Sequence, residues 1–296
     1  MTADRAGHME PDDAVLGFEV AGRAWAVPWW IMKNHHLANL TLEGQPVMVV
    51  LCEACAGASL FDAILDGTRY AFRVEGKYNA THILIDAETG SLWTPFDGRA
   101  IHGPRLGTRL RRLPLYQGTW REWTAVRPAT LVPDGAGESR AGHGSEHPNP
   151  LVGSTPGFAD RTRARRDPRL PDIELVLGVE VGGRSRAYPL ARLHRAGEVL
   201  HDELGGVALV VFTKPGSWLS VAFERTVGGR PLAFRGLGDG MRFADTETGS
   251  WWDITGHAVS GPLAGQALRF VPSGIEKWYA WAASHPDTEV YEPLAR

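Results

Sequence analysis

The stretch VMVVLCEACAGASLF, residues 47–61, holds the chain's two cysteines, Cys52 and Cys55, separated by Glu53 and Ala54. Behind an apolar run this spacing supports three chemistries. The thiolates can grip one metal ion from both sides of a tight turn, they can cycle between dithiol and disulfide, or they can pack as two small buried hydrophobes. Histidines in the same half of the chain bear on the choice. His35 and His36 close the segment PWWIMKNHH, His82 follows KYNAT, and His102 precedes Gly103-Pro104. Sulfur and imidazole together suit zinc, copper or iron, and soft sulfur favours copper. The expected metal ligands are Cys52, Cys55 and His35, with His36 beside them. His82 and His102 are expected as further ligands or proton-transfer groups, and with Tyr78 they form the candidate catalytic set. Lys77 and Asn79, on either side of Tyr78, and Trp93 are the candidate contacts for a polar substrate.

These residues point to a metal-dependent oxidoreductase acting on a small molecule, with copper or iron preferred over zinc as cofactor. Two other readings stay open. A closed four-ligand site would make the protein a non-catalytic metal-binding or structural zinc protein, since an open position is the mark of a catalytic site. A thiol–disulfide oxidoreductase would need an exposed, low-pKa cysteine, usually at a helix N-terminus, whereas this CxxC lies between two predicted strands. Taken singly, each histidine also reads as an ordinary hydrogen-bonded residue. There is no Gly-rich phosphate loop after a strand, no GxSxG elbow and no HExxH.

The elements that must position these groups recur along the chain. VLGFEVAGRAWAVP from Val15 returns as VLGVEVGGRSRAYP from Val176, and DAETGSLW from Asp86 returns as DTETGSWW from Asp245, at offsets of 161 and 159. Trp120, Trp123 and Pro128 answer Trp278, Trp281 and Pro286. Near-constant offsets over so long a span indicate an internal duplication into two domains. The first, residues 14–132, carries the Cys/His site. Residues 133–171, dense in Pro, Gly, Ser and charge, read as an exposed linker. Residues 172–296 form a degenerate copy, with Ala196, Thr213 and Gly216 expected at the positions of His35, Cys52 and Cys55. Because that copy lacks the Cys/His set, the fold itself does not require it. Asp86 and Trp93 recur as Asp245 and Trp252, which favours a structural role for them as a turn and a core aromatic.

Within each copy the pattern is mainly β. An alternating hairpin comes first, followed by short β-branched runs such as QPVMVVL and GGVALVVF. About two short helices accompany the strands, one with Pro28 or Pro189 in its first turn and one in TWREWTAVRP with Thr119 as N-cap. The fold class is a β-rich α+β unit used twice.

The order of hairpin, His-bearing helix, strand, CxxC with a following Gly, YN, DAETGSLW, AIHGP and TWREWTAVRPATLV resembles the bacterial family called domain of unknown function 3179. The resemblance runs from about residue 14 to 292, and it implies a second, degenerate copy, which members often carry. Four departures stand out. The family's CPLCG-like turn is here CEACAG, and its His-Glu pair is here His35-His36. His82 replaces an aliphatic residue, and His102 replaces a small one.

A formal net charge of −3 over 296 residues argues against a nucleic-acid partner. No run approaches the ~20 apolar residues of a membrane span, and MTADRAGHMEPDDAV lacks the apolar core of a signal peptide. The expectation is a soluble cytoplasmic protein with a small-molecule substrate, its oligomeric state left open.

Overall fold

Ala21 and Gly22 reverse the chain with both residues at positive φ, 53° and 72°, the backbone of a two-residue hairpin turn. The turn joins strand β1 (Ala14–Val20) to β2 (Arg23–Pro28), with Val20 opposite Arg23. Pro28 then caps helix α1 (Trp29–His35), which buries Trp29, Trp30, Ile31 and Met32. This is a computed structural model, and it describes residues 9–79, 81–133 and 167–293. The chain divides into two compact units, Met1–Asp167 and Pro168–Arg296. Residues 134–166, most of the expected linker, lie outside the described residues.

After α1 the first unit continues through β3 (Leu37–Leu42), β4 (Gln45–Cys52) and β5 (Gly57–Asp62), then a small hairpin of β6 (Ile64–Leu65) and β7 (Thr68–Arg69). It goes on through β8 (Phe72–Tyr78), β9 (Thr81–Asp86), β10 (Leu92–Trp93), β11 (Ala100–His102), β12 (Arg112–Leu113) and β13 (Tyr116–Thr119). Two four-stranded sheets, in the orders β12-β5-β4-β3 and β11-β10-β9-β8, enclose one core, and β13-β1-β2 forms a third sheet. That core holds Met48 and Val50 from β4, Phe61 from β5, and Phe72, Leu84 and Trp93 from the facing sheet. Asn39 stitches the two sheets together. Its Nδ2 donates to Phe72 O at 2.8 Å, and Phe72 N–H donates to its Oδ1 at 2.9 Å.

Helix α2 (Trp120–Val126) begins at Thr119, whose Oγ1 accepts from Glu122 N–H while the Glu122 carboxylate accepts from Thr119 N–H. This reciprocal cap meets two of the helix's orphan donors. Trp123 lies flat on Gly17, where a Cβ would come within 2.3 Å of the indole.

The second unit runs in the same element order. It has β14 (Leu175–Val181), β15 (Arg184–Pro189), α3 (Leu190–Ala196), β16 (Val199–Leu204), β17 (Val207–Thr213) and β18 (Ser220–Glu224). These are followed by β19 (Thr226–Val227), β20 (Arg230–Pro231), β21 (Phe234–Gly236), β22 (Arg242–Asp245), β23 (Trp251–Asp253) and β24 (Ala258–Ser260). The unit ends with β25 (Arg269–Phe270), β26 (Ser273–Lys277), α4 (Trp278–Ser284) and β27 (Glu289–Val290). Trp281 covers Gly178 as Trp123 covers Gly17. The Trp252 indole donates to Asp245 at 2.9 Å, as Trp93 donates to Asp86 at 2.7 Å. The fold is thus β-rich and built of mainly antiparallel sheets with short helices, the β15–β27 pair being parallel. Among the described residues no helix is long and apolar enough to cross a membrane.

Candidate functional site

Side chains on a strand alternate between its faces. Met48 and Val50 of β4 point into the inter-sheet core, so Cys52 continues their face at the strand's end. On β9, Leu84 points into the same core, and His82, two residues earlier, shares its face. The third contributor is His36, the residue that ends α1. It adopts φ 61°, its N–H donates to Met32 O at 2.7 Å, and its carbonyl accepts from Leu51 N–H at 2.8 Å. The chain is thereby turned from helix into β3 with the imidazole at the edge of the core.

The outcome is a pair of imidazoles. The His36 and His82 rings meet edge to face with centroids 4.5 Å apart, and the Nδ1 atom of each is buried with no hydrogen-bond partner among the described residues. Burial, assisted by His36 and Lys77, pushes His82 down to about 4. Burial also lowers His36; Glu53 opposes that shift, while His35 and Lys77 add to it. Both rings are therefore neutral near pH 7, the form in which imidazole binds a metal. Glu53 and Lys77 lie close enough to act on the pair electrostatically.

Beside the pair, Cys52 and Cys55 form a disulfide across the turn between β4 and β5. Cys55 N–H also donates to Cys52 Sγ at 3.3 Å. Both cysteines are buried, at 2% and 0% exposure. In this oxidised state neither sulfur is a thiolate, so the pair expected as metal ligands is not available as one. Ala56, after Cys55, is held at φ 56°, a left-handed conformation that disfavours any residue with a Cβ. Among the described residues six non-glycine residues take positive φ; Ala21, Glu43 and Asp66 sit in hairpin turns before a left-handed glycine. The other three are His36 of the histidine pair, Ala56 of the cysteine turn and Asn79 of the hairpin turn that leads to His82. Strained backbone of this kind gathers at functional sites.

The other expected site residues separate from this cluster to different degrees. His35, the expected third ligand, is exposed at the end of α1 and acts on His36 electrostatically. The helix end turns His36, not His35, toward the sheets, where its ring meets His82. His102 lies opposite Leu92, which lies opposite Ile85. It is therefore two strands and three residues away from His82, more than about 10 Å at ordinary strand spacings, and it does not join the pair. Trp93 is fully buried in the inter-sheet core, where it has no surface to offer a substrate. Lys77, Tyr78 and Asn79 form the exposed tip of the β8–β9 hairpin, with Lys77 opposite His82. Among the described residues, no group of three or more His, Cys, Asp or Glu side chains is gathered as a metal site.

In the second unit the same location is closed by hydrogen bonds. Thr213 N–H donates to Glu198 O at 3.0 Å, as Leu51 N–H donates to His36 O, which makes Glu198 the counterpart of His36. Its carboxylate accepts from Gly238 N–H at 2.9 Å and from Gly240 N–H at 2.6 Å. On this ladder Cys52 answers Lys214 and Cys55 answers Ser217, one residue beyond the expected Thr213 and Gly216. The shift arises because Gly197 and Glu198 stand where the first unit has His36 alone.

Glu53 and Ala56 were not singled out by residue type. The left-handed position after a CxxC, which a glycine would fill without strain, is the signal that marks Ala56.

Fold and site together define a β-rich protein of two units, the first with a histidine pair and a disulfide turn and the second with a hydrogen-bonded glutamate at the corresponding helix end. The chain belongs to the family described as Protein of unknown function (DUF3179), whose model matches residues 1–288. No curated protein and no solved structure matches the chain.

Proposed function

We propose that the first unit is the working half of an oxidoreductase that acts on a small molecule, with a transition metal held by His36 and His82 beside the Cys52–Cys55 pair. The observation that carries this reading is the histidine pair. Two neutral imidazoles touch, each with a buried Nδ1 that no group among the described residues satisfies. An unsatisfied buried polar atom costs about 1–3 kcal/mol, and a shared ligand removes that cost for both rings at once. Copper or iron bound there would supply one-electron transfer.

The chain's own residues supply the rest. In the reduced protein Cys52 and Cys55 are two thiols where β4 ends, the strand whose Leu51 N–H bonds to His36 O. Once deprotonated, they add soft sulfur donors to the imidazoles, which favours copper or iron over harder ions. Lys77, at the hairpin tip, places positive charge where an anionic substrate would arrive. The common element order, with its paired Trp123/Gly17 and Trp281/Gly178 contacts, supports descent of the two units from one duplicated ancestor.

The tight CxxC turn also favours a second reading, a closed non-catalytic zinc site built from the two thiolates and the two imidazoles. Thiol–disulfide exchange with a protein partner is the weakest reading, because both sulfurs are buried and exchange needs an accessible one.

The test is metal titration of the anaerobically reduced protein with Cu(I), Fe(II) and Zn(II), wild type beside Cys52→Ser/Cys55→Ser. The oxidoreductase reading expects one copper or iron per chain, bound more weakly in the variant. Exclusive zinc binding, with no oxygen uptake by any metal-loaded form, transfers support to the closed site. No binding of any metal overturns both.

A further inference from the structure

The second unit carries a cavity of about 830 Å³, lined by α3, by β15 and β16, and by the C-terminal segment from Glu289 to Pro293. It belongs to neither the histidine pair nor the disulfide. Its size lies within the range of pockets that hold small organic molecules, about 300–1,000 Å³.

Part of the lining belongs to an ion network. Arg186 donates through Nε to Glu289 at 3.0 Å and also donates to Asp202. The Tyr188 hydroxyl donates to the same Asp202 carboxylate at 2.8 Å, and Arg184 pairs with Glu289 as well. At the rim, Arg192 donates to Tyr291 O and to Glu292 Oε1, both at 2.7 Å. Each acidic group of the lining, Asp202, Glu289 and Glu292, therefore already meets a guanidinium. Arg195 does not share in this. It lines the cavity one helical turn beyond Arg192, is exposed, and has no hydrogen bond or ion pair among the described residues. Leu200, Val290 and Tyr291 supply the apolar surface, and the Tyr291 ring is held by stacking on Tyr188 with centroids 5.4 Å apart.

We propose that this cavity binds a small organic carboxylate, with the carboxylate on Arg195 and an apolar or aromatic body against Leu200, Val290 and Tyr291. One uncommitted cation beside a neutralised network selects a single negative charge. The planar guanidinium matches a carboxylate through two parallel hydrogen bonds. The apolar lining favours a carboxylate with an organic body over a bare inorganic anion, which would leave that surface wet and gain nothing from it.

The test is calorimetric titration of the full-length protein with benzoate, hexanoate, benzamide, acetate and phosphate, in the wild type and in Arg195→Ala. Arg195 is exposed, so the variant folds, and circular dichroism checks that it does. The expected result is saturable one-to-one binding of benzoate or hexanoate, at least tenfold weaker in Arg195→Ala. Benzamide, with the same body and no charge, is expected to bind at least tenfold more weakly than benzoate. Three results would each overturn the proposal: no saturable binding of either carboxylate, equal binding by the variant, or acetate or phosphate binding as tightly as benzoate.

Discussion

His36 and His82 come from elements 46 residues apart in the chain, and their rings meet edge to face at 4.5 Å with both Nδ1 atoms buried and unpartnered among the described residues. A helix that ends in a left-handed residue and a strand that continues the core's inward face bring them together. Neither ring gains a protein hydrogen bond at Nδ1 in return. The contact therefore costs the metal-free fold stability.

The first prediction follows from that cost. His82→Leu fills the same space without a polar atom, and replacing a buried unsatisfied group by an apolar one relieves about 1–3 kcal/mol before packing losses. The metal-free variant should be about 1 kcal/mol more stable than the metal-free wild type in urea unfolding. A variant destabilised by more than about 1 kcal/mol would mean that the His82 ring is satisfied in solution.

Burial of Cys52 and Cys55 makes the thiols of the reduced protein poor nucleophiles toward bulky reagents. Alkylation of the native reduced protein by iodoacetamide should run at least ~100-fold more slowly than that of the urea-unfolded chain, as expected when labelling requires local opening. Equal rates would revive thiol–disulfide exchange with a protein partner.

Asp86 gives a pH signature. Burial would raise its pKa, but the Trp93 indole N–H, the Thr89 backbone and hydroxyl donors and Ser91 N–H outweigh burial and hold it below the ordinary carboxylate value. Its folded pKa is depressed, so its stabilisation is complete above the unfolded pKa of about 3.9 and disappears as pH falls through the lower folded value. Asp86→Asn should cost about 2–3 kcal/mol at pH 7, and the gap to wild type should narrow below about pH 4. A gap that stays constant between pH 7 and pH 2.5 in chemical denaturation would show that the carboxylate's charge is not what the donors stabilise.

Gly17 and Gly178 support their indoles with no side chain in the way. A Cβ at either position would come within 2.3 Å or 2.2 Å of Trp123 or Trp281, so the ring must move. Gly17→Ala and Gly178→Ala should each lower stability by about 2–3 kcal/mol. Thermal unfolding with tryptophan fluorescence would report both the lost stability and the displaced ring, and an unchanged midpoint would refute the contact.

The local features were legible because they depend on neighbours in the chain. The Ala21-Gly22 turn, the Thr119 cap on α2 and the Pro28 and Pro189 helix starts follow from residue type and spacing, and the structure has each of them. The candidate site was legible only in part. His36 and His82 were both named, but His35 and His102 were expected with them. Which of two adjacent histidines faces the sheets depends on where α1 ends, and His102's distance depends on the register of β10 and β11. Parity along the strands was the usable clue, since Cys52 follows Val50 by two and His82 precedes Leu84 by two. The one-residue shift that sets Cys52 against Lys214 was hidden, because Glu198 adds its residue at a helix end where no motif marks it.

The most direct measurement is elemental analysis of protein purified anaerobically, wild type beside His36→Ala/His82→Ala, with circular dichroism to show that both are folded. The account predicts about one copper or iron per chain in the wild type and none in the folded variant. A metal-free wild type, or a variant that keeps the metal, would contradict it.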